Sequence, residues 1–525
     1  MTQLCTVTNN FPNAKIRGFE SLEQSRSKKS GISGEVGSGG ARARAGDSRR
    51  RLGGRGRQSS VLGLRRTIGR APTMLPRRVL NATTLLLLLI ATQCRAFTTD
   101  DGRRPKTRRS GTARYIATVS GTQTISIDIS EDAQRDLDRL HEWSYNCGIE
   151  QADFQLAGQE IDGHLDVSST AASYTPAGSP VLYVPQEVIL SATSAREEFG
   201  HLEAVENLLQ SNGNGEYIPH FYLMLKILVE LERGTESPYY SYLNSLPRYF
   251  SNGVAMTLFC YTCLPPLVAK LCKQERTLFN TLSVAPSLLV PWLSDEVKGD
   301  EKMWRFAYQI VQTRGMHTPS GDYCIPPMAD YMNHGSVDHN VELAFDGYGN
   351  CLATTTADVP AGCELKLNYG EHGPSLFLSR YGFLDDGSPS TFCKLIPRKV
   401  TEEMEDLGYS HDRMLFYSTG DVSEEVFDVL LYILLGEDGA VGAGLQSQLH
   451  GAHVSGDHDA KRSMHERYYH RTMTRLIEHV DEFLASLDEL ERIANYGAQE
   501  ATGRYPRLPL ILRHNEFVRR IFLVK

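Results

Sequence analysis

The sequence predicts an α+β fold: a region where short strands alternate with inserted helices, then a wholly helical C-terminal part. Three observations carry this prediction. Apolar runs bounded by Gly, Asp and Pro occur at residues 181–185 and again at 341–345, 351–356 and 364–369. Between these two groups, residues 196–290 read mainly as helices. Beyond residue 420, apolar side chains recur at helical spacing with charges between them.

The chain of 525 residues is 41% hydrophobic and 9% aromatic, enough for two or three domains and a substantial core. Its net charge of −8 hides an asymmetry, because residues 1–120 hold 24 Lys/Arg against 6 Asp/Glu while the remainder holds 31 against 57. A basic tail on an acidic body argues against a nucleic-acid-binding body and for a basic partner.

Residues 1–120 read as a disordered basic leader. The stretch 20–72 is rich in Gly, Arg and Ser and cannot bury enough apolar surface to order itself. Met74 then opens a signal-peptide pattern. Arg77 and Arg78 give it a charged start, residues 79–91 form a short apolar run, and Ala96 precedes a cleavage point. That run is short for a membrane span. A signal peptide belongs at an N-terminus, so translation is expected to start at Met74. The basic, Ser/Thr-containing stretch 97–118 begins at Phe97 and reads as a transit segment. Signal plus transit resembles the bipartite leaders of algae with complex plastids, which implies a plastid address. Secretion, or a cytoplasmic protein if the leader is unused, is the alternative.

In the body, residues 130–146 are expected to form a helix capped by Ser130, with Leu137, Leu140 and Trp143 on one face. Residues 181–185 form a strand. The apolar helix 220–232 is closed by Gly234, and 304–314 is another helix. Strands follow to residue 369. Asp421-x-x-Glu424 reads as a capping box before Val426, Leu430 and Leu434. Residues 437–460, rich in Gly and His, read as a loop. Met473, Leu476, Val480, Phe483 and Leu487 then mark a core-facing helix. Of ten cysteines, Cys260, Cys263 and Cys272 lie close in sequence, but a zinc site needs four convergent ligands, so reduced buried thiols and no metal are expected.

One further set of residues is specific by its order. It comprises Trp304-Arg-Phe-Ala-Tyr-Gln-Ile-Val-Gln-Thr-Arg314, Asp330-Tyr-Met-Asn333-His334, and Gly362-Cys-Glu364-Leu-Lys-Leu-Asn-Tyr369-Gly370, then Arg380-Tyr381-Gly382-Phe383. Together these resemble the C-terminal half of a SET domain. Leu228-Val-Glu230-Leu-Glu-Arg-Gly234 and Arg507-Leu-Pro-Leu-Ile-Leu-Arg513 are similar to the helical insertion and closing segment of the Rubisco large-subunit lysine methyltransferase class. The resemblance spans roughly residues 130–525. It implies a SET-domain β-fold with a knot-like crossing over 130–395, a helical insertion at about 196–290, and an all-α substrate-binding domain over 400–525.

The resemblance also implies chemistry: an S-adenosyl-L-methionine-dependent protein-lysine N-methyltransferase acting on a non-histone protein. Rubisco large subunit and plastid aldolase are substrates known for the class. It carries the catalytic role to Tyr369, cofactor binding to Arg314, Asn333, His334 and Gly163, and the substrate channel to Tyr381 and Phe383. Asp330 is expected to serve structure, and Glu364 to be a turn or strand-edge residue. A monomer that binds neither nucleic acid nor, in its mature form, membrane is expected. Protein-histidine methylation, or a binding scaffold without catalysis, are the alternatives. Two departures bear on the cofactor: Asp162-Gly163-His164-Leu165 has one glycine where the class has a Gly-x-Gly-type loop, and Gly373-Pro374-Ser375-Leu376 follows Tyr369-Gly370.

Overall fold

A computed structural model describes residues 126–161, 164–370, 372–388, 390–392, 399–500 and 504–524. The leader, with Met74 and the segments 74–96 and 97–118, lies outside the described residues, as does Gly163.

The expected first helix begins late. Helix α1 (Asp138–Asn146) buries Leu140, but residues 130–137 form a turn and an irregular approach. Ser130 caps no helix; its hydroxyl donates to Asp128. Tertiary contacts hold this segment open: Asp136 donates its backbone N–H to Asn244 O at 3.1 Å, and the Arg135 side chain reaches Ser245 O at 2.7 Å. Local helix propensity is a weak preference beside such contacts.

After β1 (Glu150–Gln151), strands β2 (Phe154–Ile161) and β3 (His164–Ala171) pair antiparallel from Phe154↔Ala171 to Ile161↔His164. Strand β4 (Pro180–Val184) falls in the 181–185 segment, and β5 (Leu190–Ser191) leads into the helical insertion. There α2 (Ala192–Phe199), α3 (Glu203–Ser211), α4 (Ile218–Arg233), α5 (Tyr240–Ser245) and α6 (Pro266–Ser283) form as expected. Helix α4 is buried almost all round, and Gly234, at φ +54°, ends it where an L side chain is disfavoured. Helix α7 (Glu301–Arg314) starts where the Asp300 carboxylate accepts the N–H groups of Lys302 and Met303. Strands β6 (Met316–His317), β7 (Tyr323–Ile325), β8 (Asn333–His334), β9 (Val341–Phe345), β10 (Cys351–Thr355) and β11 (Lys366–Leu367) follow.

The strands build small sheets in the orders β1-β4-β10-β9 and β5-β7-β6, both antiparallel, and one parallel pair, β8-β11. The parallel pair marks the crossing. Chain 362–367 bonds on one side to β3, through Ala171 N–H to Cys363 O and Leu365 N–H to Ser169 O, both 2.9 Å. On its other side Gly335 donates to Leu367 O at 2.9 Å and Asn340 to Lys366 O at 3.0 Å. The segment thus runs between β3 and the loop 335–340, which is the knot-like crossing the motif order implies. One core, from Ile127 to Leu367, lies under these elements.

The C-terminal part is helical. Helices α8 (Glu424–Gly436), α9 (Gly439–Ser455), α10 (His458–Glu500) and α11 (Leu508–Leu523) enclose a second core with Phe416, Leu431, Val480, Phe483 and Phe522. Two expectations fail here. Residues 439–455 are helical, not a loop: Leu449 and Ala452 are buried, and Gly442 meets the end of α8 so closely that a Cβ would lie 1.8 Å from Leu435 O. Few large apolar residues were needed for so close a contact, so the sequence showed no stripe. Nor is Asp421 a helix cap; α8 starts after Ser423, whose hydroxyl instead donates to Arg413 O at 2.7 Å. A third, smaller core joins 256–272 to Leu378, Ala494 and Ile511 and contains Cys260, Cys263 and Cys272 as free buried thiols. Among the described residues no helix is long and apolar enough to cross a membrane, and no group of three or more His, Cys, Asp and Glu is placed to hold a metal ion.

Candidate functional site

A cavity of about 850 Å³ opens where α7, the crossing, the β2-β3 hairpin and the start of α11 meet. That size suits a nucleoside-sized ligand with room beside it.

One wall is cationic. Arg314 ends α7, and its Nη1 donates to the backbone oxygen of Asp330 at 2.8 Å and to Asp330 Oδ2 at 2.7 Å. Tyr242 donates its hydroxyl to the same Oδ2 at 2.7 Å. Burial disfavours the Arg314 charge, but the Asp330 carboxylate and the surrounding phenols outweigh it and raise its pKa. Arg135 joins it from the irregular approach to α1: Nε donates to Ser245 O and Nη1 to Leu165 O at 2.9 Å. Both guanidinium groups lie over the Tyr331 ring, at 5.0 Å for Arg314 and 5.9 Å for Arg135. Arg314 Nε, Arg135 Nη2 and Asp330 Oδ1 are buried with no hydrogen-bond partner. All three residues line the cavity, while these particular atoms are closed off behind its wall.

The crossing supplies the floor. Strand β8 presents Asn333, whose amide donates to Glu364 Oε1 at 3.3 Å. The next residue, His334, is almost wholly buried. Its Nδ1 accepts the backbone N–H of Tyr369 at 3.1 Å and its Nε2 lies 3.1 Å from Ser336 Oγ. An N–H donor on Nδ1 requires that nitrogen to be bare, so the ring is neutral with its proton on Nε2. Tyr369 donates its hydroxyl to Met332 O at 2.6 Å, and burial raises its pKa.

The third wall is aromatic. Tyr381 and Phe383 leave a tight π-type turn, Phe377–Tyr381. The Tyr369 and Tyr381 rings lie 5.4 Å apart; His334, Phe377 and Phe383 extend the group at 4.4–5.8 Å. Gly382 turns the chain at φ +83°, and a Cβ there would lie 2.6 Å from Asn252 N. No other residue type fits that turn. Behind it, Arg380 Nε donates to the buried Glu275 at 3.1 Å, tying the turn to α6. Burial likewise raises the Tyr381 phenol.

Arg314, Asn333, His334, Tyr369, Tyr381 and Phe383 all line this one cavity. Gly163 lies outside the described residues, although its strand neighbours Ile161 and His164 line the rim. Asp330 holds Arg314 through hydrogen bonds, as expected. Glu364 does more than end a strand, since it lines the cavity and holds Asn333. Sequence reasoning missed Arg135, because its segment read as ordinary helix, and Phe377, a buried ring within the Tyr369–Phe383 interval. It also missed the rim stack in which His164 lies 3.6 Å from Tyr249 and Arg507 lies 4.4 Å over the same ring.

No protein-family model matches the chain. SET domain-containing protein 4 of Artemia parthenogenetica is 26% identical over 195 residues, 35% of this chain and 48% of that protein, so the chain spans about half the length of this curated relative. Among solved structures, the SET domain of LSMT bound to lysine and AdoHcy superposes with a TM-score of 0.54 at 13% identity, covering 74% of this chain and 89% of that one. Rubisco LSMT bound to AdoMet gives a TM-score of 0.50 at 13% identity over 74% and 90%. The crossing, the cavity and these superpositions define a SET-domain fold. Within that class the chain is built like the Rubisco LSMT structures, with the helical insertion and the C-terminal helices both in place.

Proposed function

We propose that the protein is an S-adenosyl-L-methionine-dependent protein-lysine N-methyltransferase acting on a non-histone protein. One observation carries the reading: a paired-guanidinium wall, the Asn333-His334 crossing and the Tyr369–Tyr381–Phe383 wall share a single cavity. The residues present fit the cofactor. Arg314 and Arg135 both line the cavity, and their positive charge suits a carboxylate on that side. Asn333 would hold the remaining polar portion; the ring nitrogens of His334 are engaged by the Tyr369 N–H and Ser336 Oγ, so that ring shapes the floor.

S-adenosylmethionine supplies, when bound, an electrophilic methyl group on a sulfonium. The chain's task is then to bind, align and exclude water. Tyr369 and Tyr381 stay neutral phenols, since burial raises both, so they orient the acceptor rather than deprotonate it. The Tyr369 proton is committed to Met332 O, which leaves its oxygen to accept an N–H from the incoming amine and turn the amine lone pair toward the methyl. The rings of Tyr381 and Phe383 stabilise positive charge beside them.

Titration of S-adenosylhomocysteine into the purified protein is the first test. One-to-one micromolar binding supports the reading; no binding by folded protein favours the scaffold alternative. Lysine as acceptor, against histidine, is decided by mass spectrometry of a methylated substrate. The leader pattern at 74–118 supports a plastid address, which makes Rubisco large subunit and plastid aldolase the first substrates to try. A tagged chain starting at Met74 tests that address, and uniform export removes it.

A further inference from the structure

Asp385 and Ser336 do not line the cavity, yet they stand behind the residue that joins its floor to its aromatic wall. Ser336 donates its hydroxyl to Asp385 Oδ2, and His334 Nε2 lies 3.1 Å from Ser336 Oγ and 3.7 Å from the same carboxylate oxygen. On its far side, His334 Nδ1 accepts the Tyr369 N–H. The three signature segments of the site, around His334, Tyr369 and Phe383, therefore meet in one chain of hydrogen bonds.

The polarity of that chain is set from the carboxylate end. An ionised carboxylate only accepts, so it takes the Ser336 proton. Ser336 Oγ is then an acceptor toward the ring, which requires the histidine proton on Nε2. That leaves Nδ1 bare to accept the Tyr369 N–H, and this bond holds the chain at Tyr369 in place. If Ser336 were instead free to donate to Nε2, the proton would move to Nδ1 and two donors would face each other at Tyr369. Burial opposes ionisation of Asp385, but the His334 ring nearby and the Ser336 hydroxyl prevail and hold its carboxyl below its ordinary value.

From this geometry we infer that Asp385, acting through Ser336, is a positioning residue that locks His334 in one tautomer and so fixes the backbone of Tyr369. The ring it fixes packs on Phe377 at 4.4 Å, Tyr369 at 5.3 Å and Phe383 at 5.8 Å, so a rotated ring displaces the wall of the acceptor channel. Asp385 lies two residues beyond the Tyr381-Gly382-Phe383 motif, which places the lock on the same turn that carries the channel wall. The functional part of the inference rests on the proposed methyltransferase reading; the tautomer lock does not.

The test uses the full chain with ¹⁵N-labelled histidine. Long-range ¹H–¹⁵N spectra, with the His334 signal assigned by its loss in His334→Gln, report which ring nitrogen carries the proton. The wild type is expected to show a single Nε2–H tautomer. Asp385→Ala should give mixed or exchanging tautomers, whereas Asp385→Asn, whose carbonyl can still accept the Ser336 proton, should restore the single form. If the proposed activity holds, Asp385→Ala lowers kcat about tenfold with KM for the cofactor within about twofold, and Asp385→Asn recovers most of it. An unchanged tautomer in Asp385→Ala overturns the inference whatever the activity. A wild type that binds no cofactor yet shows the lock, lost in Asp385→Ala, removes the methyltransferase reading and leaves the lock standing.

Discussion

Replacing Gly382 by Ala isolates the contact that sets the aromatic wall. Two costs add at this position. A backbone at φ +83° disfavours any L side chain by about 1–2 kcal/mol. The new Cβ would also lie 2.6 Å from Asn252 N and 2.8 Å from Ser251 C, both backbone atoms that cannot rotate aside. Forcing a methyl into such a space costs about 1–3 kcal/mol more. Gly362 is the control, because its φ of +77° is nearly the same but nothing lies within 4 Å of its Cβ. Gly362→Ala should therefore show only the first cost, and the two variants should differ by about 1–3 kcal/mol in urea unfolding. Relief of the clash must push the 381–383 turn away from the loop at 251–252. Misplacement approaching 1 Å near a reacting centre costs up to about a hundredfold, so turnover should fall by about 10–100-fold in Gly382→Ala. Equal destabilisation of the two variants would refute the close-approach argument, and full turnover in Gly382→Ala would detach the turn from catalysis.

Tyr369→Phe removes the hydroxyl bonded to Met332 O and should lower turnover by about 10–1000-fold with the fold intact; unchanged turnover removes Tyr369 from its proposed role. Arg135→Ala should weaken S-adenosylhomocysteine binding by about 10–100-fold, the worth of one charge-assisted contact, and equal affinity by calorimetry would return Arg135 to a structural part. His220 and His514 are held neutral by burial, with pKa values lowered from 6.5 to about 3 and about 4. Unfolding lets both take up protons below pH 6.5, so their contribution to stability is full above that pH and is lost as pH falls toward 4. The slope is about 1.4 kcal/mol per pH unit for each histidine. His514→Gln should flatten the urea-midpoint profile between pH 6 and 4.5, and an unaltered slope would show that this histidine does not contribute.

What was legible in the sequence had to be where the backbone is unusual. The Tyr381-Gly382-Phe383 turn needs a glycine at one place. The crossing needs short strands at 333–334 and 366–367, set between fixed partners. Constraints of this kind fix residue type and order together, so the motif order predicted which side chains meet. The apolar helices were legible for a different reason: α4 and α10 carry their burial as runs or stripes of large side chains. Helix α9 carries its burial in Gly442, Ala452 and one leucine, a close contact that reads locally as a flexible stretch. The start of α1 was misread because Asn244, Ser245 and Leu165, all distant in sequence, hold residues 135–136 out of a helix.

That misreading and the altered hairpin are two ends of one contact. The sequence around 162–165 has a single glycine where the resemblance called for a loop letting backbone approach the ligand. Here β2 and β3 instead pair fully out to Ile161↔His164, and the Leu165 carbonyl is taken by Arg135 Nη1. The irregular segment before α1 is thereby drawn against the hairpin, and Arg135 itself lines the cavity. The rim beyond is held by side chains too, His164 on Tyr249 and Arg507 over the same ring. A cation favours the carboxylate end of a ligand, where bare backbone amides would favour any acceptor. On the proposed reading, the Arg135 and Arg314 guanidinium groups on this side favour the carboxylate end of the cofactor.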